Sequence, residues 1–435
     1  MEHLLNLALR VAEEAEVYEE VTVGTPISFE ANRLKMLETK ETRGVALRII
    51  RNGRIGFSST TDLRNLQMLV DHAVAVSELG AEAKFHFPHS AITHEVQVYD
   101  PLVEGVASET LIAMGQSMID KVRHHQPHIL CDAGVSKSVG RVRILNSAGV
   151  DLSYEKTVLA ASIHGNLVRG TDMLDIYESK VTCEMVPSYD ELVDRLLEKF
   201  GLAERTAEVS TKQMSVIFTP RGVAATLLLP LQSALNGKSV LQGASPLGDK
   251  LNQKVFDERL SVYDDATIDL TPGSSVCDDE GVPTRRIPLI EKGSVRNFYY
   301  DLQTAGLAGT ESTGNGYRSL STLPSPSLST ALFDPGDTAY ESMISDIKEG
   351  IVVDQVMGAW AGNILSGDFS ANVHLGFKIE NGKIVGRVKN TMVAGNVFEI
   401  FDKNLVALGK ESVWVGGTLK VPAMYFHSLS VSTKE

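Results

Sequence analysis

The sequence predicts an α+β protein of two domains: an N-terminal mixed α/β domain, then a C-terminal antiparallel β-rich domain, barrel-like or sandwich-like, with a few helices. Three observations carry this. Helical and strand-like stretches alternate through the first half, and a strict odd-even alternation from Phe369 to Ile379 marks the second. A chain of 435 residues, 43% of them hydrophobic, also exceeds one domain of roughly 100 to 200 residues. The polar stretch AEVSTKQ, Ala207 to Gln213, reads as a linker, so the domains are expected at 1–206 and 214–435.

Leu4, Ala8, Val11 and Ala15 share one face of an opening helix. Gly44 to Ile50 and Arg54 to Ser58 read as strands joined by Asn52-Gly53, a pair that tolerates the positive φ of a type I′ turn. A helix from about Asp62 to Leu79 follows, with Thr61 as N-cap and Gly80 as stop. Another begins at Ser108 and buries Leu111, Met114, Met118 and Val122. Val142 to His164 is strand-like, split by a turn at Ser147-Ala148-Gly149, and Ser188 with Glu191 forms a capping box for a helix through Leu192, Leu196 and Phe200.

In the second half, Val216 to Phe218 is a short buried strand, and Thr219-Pro220 suits the N-cap and N1 of the segment GVAATLLLPLQSALNG, Gly222 to Gly237. That segment contains no Asp, Glu, His, Lys or Arg, and Pro230 must kink or end its helix. Strands dominate thereafter. Phe369, Ala371, Val373, Leu375, Phe377 and Ile379 form a core face, with Ser370, Asn372, His374, Gly376 and Lys378 opposite. Asn381-Gly382 and Lys292-Gly293 close hairpins, the latter between Ile287 to Glu291 and Val295 to Asp301, and a helix is expected near Thr338 to Lys348.

Composition excludes several classes of function. A formal charge of -14, with Lys and Arg scattered, leaves no nucleic-acid footprint. No apolar run reaches the roughly 18 residues of a membrane span, and the opening residues lack a basic n-region and cleavage site. Cys131, Cys183 and Cys277 make neither a CxxC pair nor a disulfide framework, which points to a reducing cytoplasm.

Candidate chemistry is sparse. His124, His125 and His128 have ligand-like spacing, but Pro127 prevents a regular helix and a solvated helix end is the better reading. His86, His89 and His94, in KFHFPHSAITH, look more metal-like by count and sit in a Pro-containing loop between a helix and a strand. Asp278-Asp279-Glu280, followed by Gly281 and Pro283, reads as a solvated turn or a functional loop, with Arg285 beside it. Thr313-Gly314-Asn315-Gly316 is Gly-rich but lacks any phosphate-binding pattern, so it permits a tight turn or close backbone approach, as to a peptide. Ser366-Gly367-Asp368 lacks the GxSxG elbow of a serine hydrolase. His374 is groove-lining or simply solvated, and Trp360 and Phe369 belong to the core.

Four stretches in the second half resemble the TldD/PmbA family, once called modulators of DNA gyrase: Cys277 to Asp301, Ser312 to Arg318, Met357 to Ser370, and Ile379 to Asn396. The resemblance implies a peptidase assembly acting on peptides or unfolded segments. TldD-like members carry a zinc-binding HExxxH helix and a late cysteine, whereas PmbA-like members, also called TldE, lack these and pair with TldD. Anchored on Asn236-Gly237, the two histidines would fall near Leu228 and Ser233, the glutamate near Leu229 and the cysteine near Gly416. None of these can ligate zinc or act as base. The chain therefore resembles the PmbA branch: no cofactor of its own, zinc expected in a TldD-like partner, and a hetero-oligomer or homodimer as the assembly. Asp279, Glu280, Gly281, Arg285, Thr313 to Gly316, Ser366 to Asp368 and His374 become candidate peptide-groove or interface positions. A self-sufficient metallohydrolase using dispersed histidines, or a homodimeric peptide-binding protein, remains as an alternative.

Overall fold

The computed structural model describes residues 1–89, 92, 94–359 and 363–433; Trp360 lies outside them. Seven strands form the N-terminal sheet: β1 (Glu14–Glu30), β2 (Arg33–Leu37), β3 (Lys40–Arg51), β4 (Arg54–Thr60), β5 (Leu130–Asn146), β6 (Asp151–Arg169) and β7 (Asp172–Thr182). Their order is β4-β3-β1-β5-β6-β7, antiparallel throughout, with β2 and β3 sharing one edge of β1. The helices of this half are α1 (Glu2–Ala8), α2 (Leu66–Ser77), α3 (Pro101–Gly105), α4 (Ser108–His125) and α5 (Asp190–Leu202). On β1, Ala15 and Val17 meet Leu4, Leu69 and Val70 of α1 and α2, while Ile27 and Phe29 meet Leu111, Ile119 and Leu192 of α4 and α5.

Local signals held where a turn needed special backbone. Asn52-Gly53 and Asn381-Gly382 take φ of +50 and +71°, and +47 and +76°. Several element starts moved. The opening helix stops at Ala8, and Ala15 already belongs to β1: the β-branched run Val21-Thr22-Val23 favours extended chain, and two neighbours pair with it along most of its length. The second helix is capped by Asn65, not Thr61, through a bond from Met68 N–H at 3.2 Å. No capping box forms at Ser188, because α5 begins after Tyr189 and Glu191 instead accepts Lys180 Nζ at 2.7 Å.

The C-terminal half opens with β8 (Lys212–Phe218), α6 (Pro220–Thr226), α7 (Leu228–Leu235), α8 (Gly237–Leu241), β9 (Val262–Asp265), β10 (Arg286–Glu291) and β11 (Ser294–Val295). The strand expected from Val295 to Asp301 thus ends almost at once. There follow α9 (Leu302–Ala308), β12 (Gly316–Tyr317), β13 (Ser325–Pro326), β14 (Ala331–Phe333), α10 (Tyr340–Ser345), β15 (Glu349–Met357) and a 3₁₀ turn (Ile364–Ser366). The chain closes with β16 (Asp368–Glu380), β17 (Lys383–Arg387), β18 (Thr391–Asn396), α11 (Val397–Glu399), a π turn (Ile400–Asn404), β19 (Leu405–Val415) and β20 (Leu419–Thr433). β20-β18-β16-β15-β8 pair in sequence and β8 pairs back onto β20, so the five strands close a barrel. Most pairings are antiparallel; β8 with β15 and β14 with β20 are parallel.

The barrel interior is aromatic. Phe218 meets Phe369 and Phe426 edge to face at 6.3 and 5.9 Å, and Phe401 meets Phe426 at 5.5 Å. On β16 the predicted core face divides: Phe369, Ala371 and Val373 enter the barrel, whereas Leu375, Phe377 and Ile379 join a second core with Ile163, Leu192 and Leu196 of the N-terminal half. Register shifts around Gln355 in β15 accompany the change, as expected where a bulge re-aims a strand. The two halves therefore share apolar packing. The stretch read as a linker is docked too, with Ala207 N–H donating to Arg387 O at 2.8 Å.

Candidate functional site

The acidic run is buried, which corrects the solvated-turn reading. Asp278 and Glu280 are 0% exposed and Asp279 8%. Local chemistry makes the turn: Gly281 sits at φ +76°, and Asp278 Oδ1 accepts from Glu280 N–H and Val282 N–H at 3.0 and 2.9 Å. Asp278 Oδ2 accepts from Gly316 N–H at 2.8 Å and Asp279 Oδ2 from Arg318 N–H at 2.9 Å, which fastens the run to the Gly-rich loop. A Cβ at Gly316 would lie 2.3 Å from Glu280 Oε2, so a side chain there would displace the carboxylate that Arg48 holds. In the same loop Asn315 Nδ2 donates to Asp264 Oδ2 at 2.6 Å, and Thr313 Oγ1 accepts from Tyr300 N–H at 2.7 Å. Asp279, Glu280, Gly281, Thr313, Gly314, Asn315 and Gly316 are thus interior scaffold, not groove lining. Arg285 alone of this set is exposed, donating to Ser312 O at 3.2 Å.

This scaffold faces the N-terminal sheet. Arg48, 2% exposed, holds Glu280 at 2.6 Å and Glu16 at 2.9 Å, and its guanidinium lies over the rings of Phe85 and Phe87. Arg318 faces Glu16 at 2.9 Å and stacks 4.2 Å from the Tyr18 ring centroid. Burial pushes the Asp279 carboxyl up to about 6 from 3.8. The folded chain thus keeps this proton to higher pH than the unfolded chain, so the group's contribution to stability is full below about 4 and lost as pH rises through 6. The loss is on the order of 3 kcal/mol. Asp279→Asn, which keeps an acceptor for Arg318 N–H, is expected to flatten this part of the pH-stability curve, read from melting temperatures between pH 4 and 8.

The other candidates gather around α7. Thr219 caps α6 by accepting from Gly222 N–H at 3.2 Å, and the helix breaks at Leu227 so that Pro230 falls in the first turn of α7, where no helical bond is lost. Leu228 packs on the barrel core, Leu229 is 36% exposed and Ser233 is half-buried. α7 lies against the Ile364–Ser366 turn and α11, so Ser366 is brought beside Leu228 to Leu235. Asn396 ties this corner, donating to Ser366 O at 2.7 Å and Asp368 Oδ1 at 2.8 Å, while Gly367 turns the chain at φ +81°. Bonds from Asn396 and Ser366 hold the Asp368 carboxyl below its usual range. The C-terminal end of α7 meets the first motif, where Tyr299 OH donates to Gln232 O at 2.9 Å and Gly237 N–H to Tyr299 O at 3.0 Å.

Two residues are placed elsewhere. Gly416 occupies the exposed β19–β20 turn at φ +62°, lining a cavity to which α7 contributes nothing. His374 caps the sheet edge: its Nε2 lies 3.1 Å from Asp175 O, while Arg387 and Gln355 donate to Met173 O and Tyr177 O at 3.5 and 3.3 Å. Three side chains of the C-terminal half, from β15, β16 and β17, thereby satisfy alternate carbonyls of β7, blunting an edge that would otherwise pair. The loop histidines disperse, with His86 on Glu14, His89 on Ala148 O and His94 near Thr284.

The model of the PmbA/TldA metallopeptidase C-terminal domain matches residues 211–433, more than half of the chain, and that of the family's domain 1 matches residues 15–77. The chain belongs to the PmbA/TldD family. PmbA/TldD relatives include an uncharacterised protein of Methanocaldococcus jannaschii, 27% identical over 98% of both chains, and a protein of Methanothermobacter thermautotrophicus named metalloprotease, 24% identical over 94% of this chain and 91% of its own. In fold the chain is similar to the crystal structure of TldE from Thermococcus kodakarensis, with a TM-score of 0.91, 24% identity and 99% of each chain covered.

The cavity itself was not legible in the sequence. Glu178, Lys199, Arg221 and Asp354 come from β7, α5, α6 and β15, and no spacing links them.

Proposed function

We propose that this chain is a non-catalytic subunit that helps present peptides or unfolded segments to a zinc-bearing, TldD-like partner. One observation carries the reading: α7, where the family's zinc helix would fall, offers Leu228, Leu229 and Ser233, with neither imidazole nor carboxylate. The residues present do not fit the metal, so no catalytic step is routed through it here. A role in assembly is supported by the strand edge from Arg33 to Arg43, exposed at every residue and bearing Leu34, Met36 and Leu37, which a second chain or an extended peptide could extend. The three cysteines are buried and free, which suits a reducing cytoplasm, and among the described residues no helix is long and apolar enough to cross a membrane.

The test is zinc content and peptide cleavage of the purified chain, alone and with a TldD-like HExxxH partner. Cleavage only with the partner, and no tightly held zinc alone, is expected. Stoichiometric zinc with cleavage by the lone chain would overturn the reading in favour of a self-sufficient hydrolase. Peptide binding without any partner would favour a homodimeric binding protein. Leu228→His with Leu229→Glu is expected to restore neither zinc nor cleavage, because a further ligand and the groups that orient the ligands are still missing.

A further inference from the structure

Between the two halves lies a cavity of about 550 Å³, within the size range of small-molecule sites and at the kind of junction where they occur. α5 and β7 wall it on one side; α6, β15, α10 and the β19–β20 hairpin wall it on the other. Its apolar surface is set by Tyr340, Val352, Phe377 and Trp414.

The ionic groups inside satisfy one another. Lys199 Nζ bridges Glu178 and Asp354 at 2.7 and 2.6 Å, and Arg221 and Arg195 also hold Glu178, at 3.1 and 3.3 Å. Thr219 Oγ1 donates to Asp354 at 2.8 Å. The three lining cations, Arg195, Lys199 and Arg221, are thus each committed to a carboxylate, and Lys420 lies 5.6 Å from the Trp414 ring centroid. At the rim the balance is reversed: Glu198, Glu341 and Glu411 are exposed, and among the described residues none of their carboxylates has a hydrogen bond or ion pair. Five carboxylates thus line the cavity against three cations. An occupant complementary to both parts places an apolar stem between the aromatic walls and a positive charge at the rim, where carboxylates and ring faces both favour it.

We propose that this cavity binds an organic cation, an ammonium or guanidinium group carried on an apolar stem. The inference extends the peptide-handling reading and rests on it for the source of the cation, a peptide's N-terminal amine or a basic side chain, but not for the site.

The experiment is titration calorimetry on the full chain, with Trp414 fluorescence as a second readout. Phenethylammonium is expected to bind saturably, and 2-phenylethanol about tenfold more weakly. Glu341→Gln and Glu411→Gln, both at exposed positions where the fold is indifferent, are each expected to weaken the amine several-fold and leave the alcohol unchanged. Equal binding of amine and alcohol, amine binding untouched by both substitutions, or no binding of either probe would overturn the site. Peptides then assign the source. Loss of binding on N-terminal acetylation assigns the terminal amine, and loss on Lys→Gln assigns the side chain. Amine binding with no binding of any peptide would keep the site and overturn the peptide as its source, a result separable from failure of the partnered cleavage assay.

Discussion

Arg48→Met lowers the stability of the chain by about 3–5 kcal/mol, the range for breaking a buried ion pair from one side. The reason is what stays behind. Glu16 and Glu280 are both 0% exposed and both pair with this guanidinium, one carboxylate from β1, which Arg318 also faces, and the other from the scaffold that packs on it. Methionine fills the space beside Phe85 and Phe87 but leaves Glu280 buried with no cation, held by Leu302 N–H at 2.7 Å, and Glu16 with Arg318 alone at 2.9 Å. Urea denaturation measures the loss. Arg64→Met, at a side chain 89% exposed and paired with Asp62, serves as the control and moves stability by less than about 1 kcal/mol. Adding Glu280→Gln to Arg48→Met recovers part of the loss, because the pair is coupled. A midpoint for Arg48→Met indistinguishable from that of Arg64→Met would show that the network does not join the two halves.

The second large effect is expected at Asp264, on β9. Its carboxylate accepts from Asn315 Nδ2 at 2.6 Å and from Ser329 N–H, Ser329 Oγ and Thr330 N–H at 2.9 Å each. Asp264→Ala leaves four donors in the interior with no acceptor. At about 1–3 kcal/mol per buried unsatisfied group, with some relaxation, the cost is on the order of 4 kcal/mol. It is read as a fall in melting temperature together with faster proteolysis between Ser312 and Thr330, the loop these bonds fix. Unchanged proteolysis with a lowered melting temperature would place the effect in the barrel instead.

Features set by local interactions were legible in the sequence, and those set by long-range contacts were not. Turns that need a left-handed residue were legible at Asn52-Gly53 and Asn381-Gly382, because the requirement is local. Helix starts were not: Thr61 and Ser188 are adequate caps in isolation, but sheet pairing and side-chain partners placed the first turn elsewhere. β1 was missed because its start is buried on both faces, Ala15 and Val17 under α1 and α2 and Glu16 and Tyr18 on the other side, so no alternation marks it. Asp279, Glu280 and the Gly-rich loop stood out in the sequence as candidate groove or interface positions, but their surroundings were not legible, since Arg48 and Glu16 lie more than two hundred residues away in the chain.

By itself, the sequence determined the α+β class, the family and the lack of zinc-binding groups on α7, because composition, periodicity and side-chain chemistry are properties of the residues themselves. Only the tertiary structure decided that the acidic run is interior, that His374 guards a strand edge, and that a cavity with an acidic rim opens between the halves. Each of these depends on which distant segments meet, and burial, charge pairing and enclosed volume exist only once they have met.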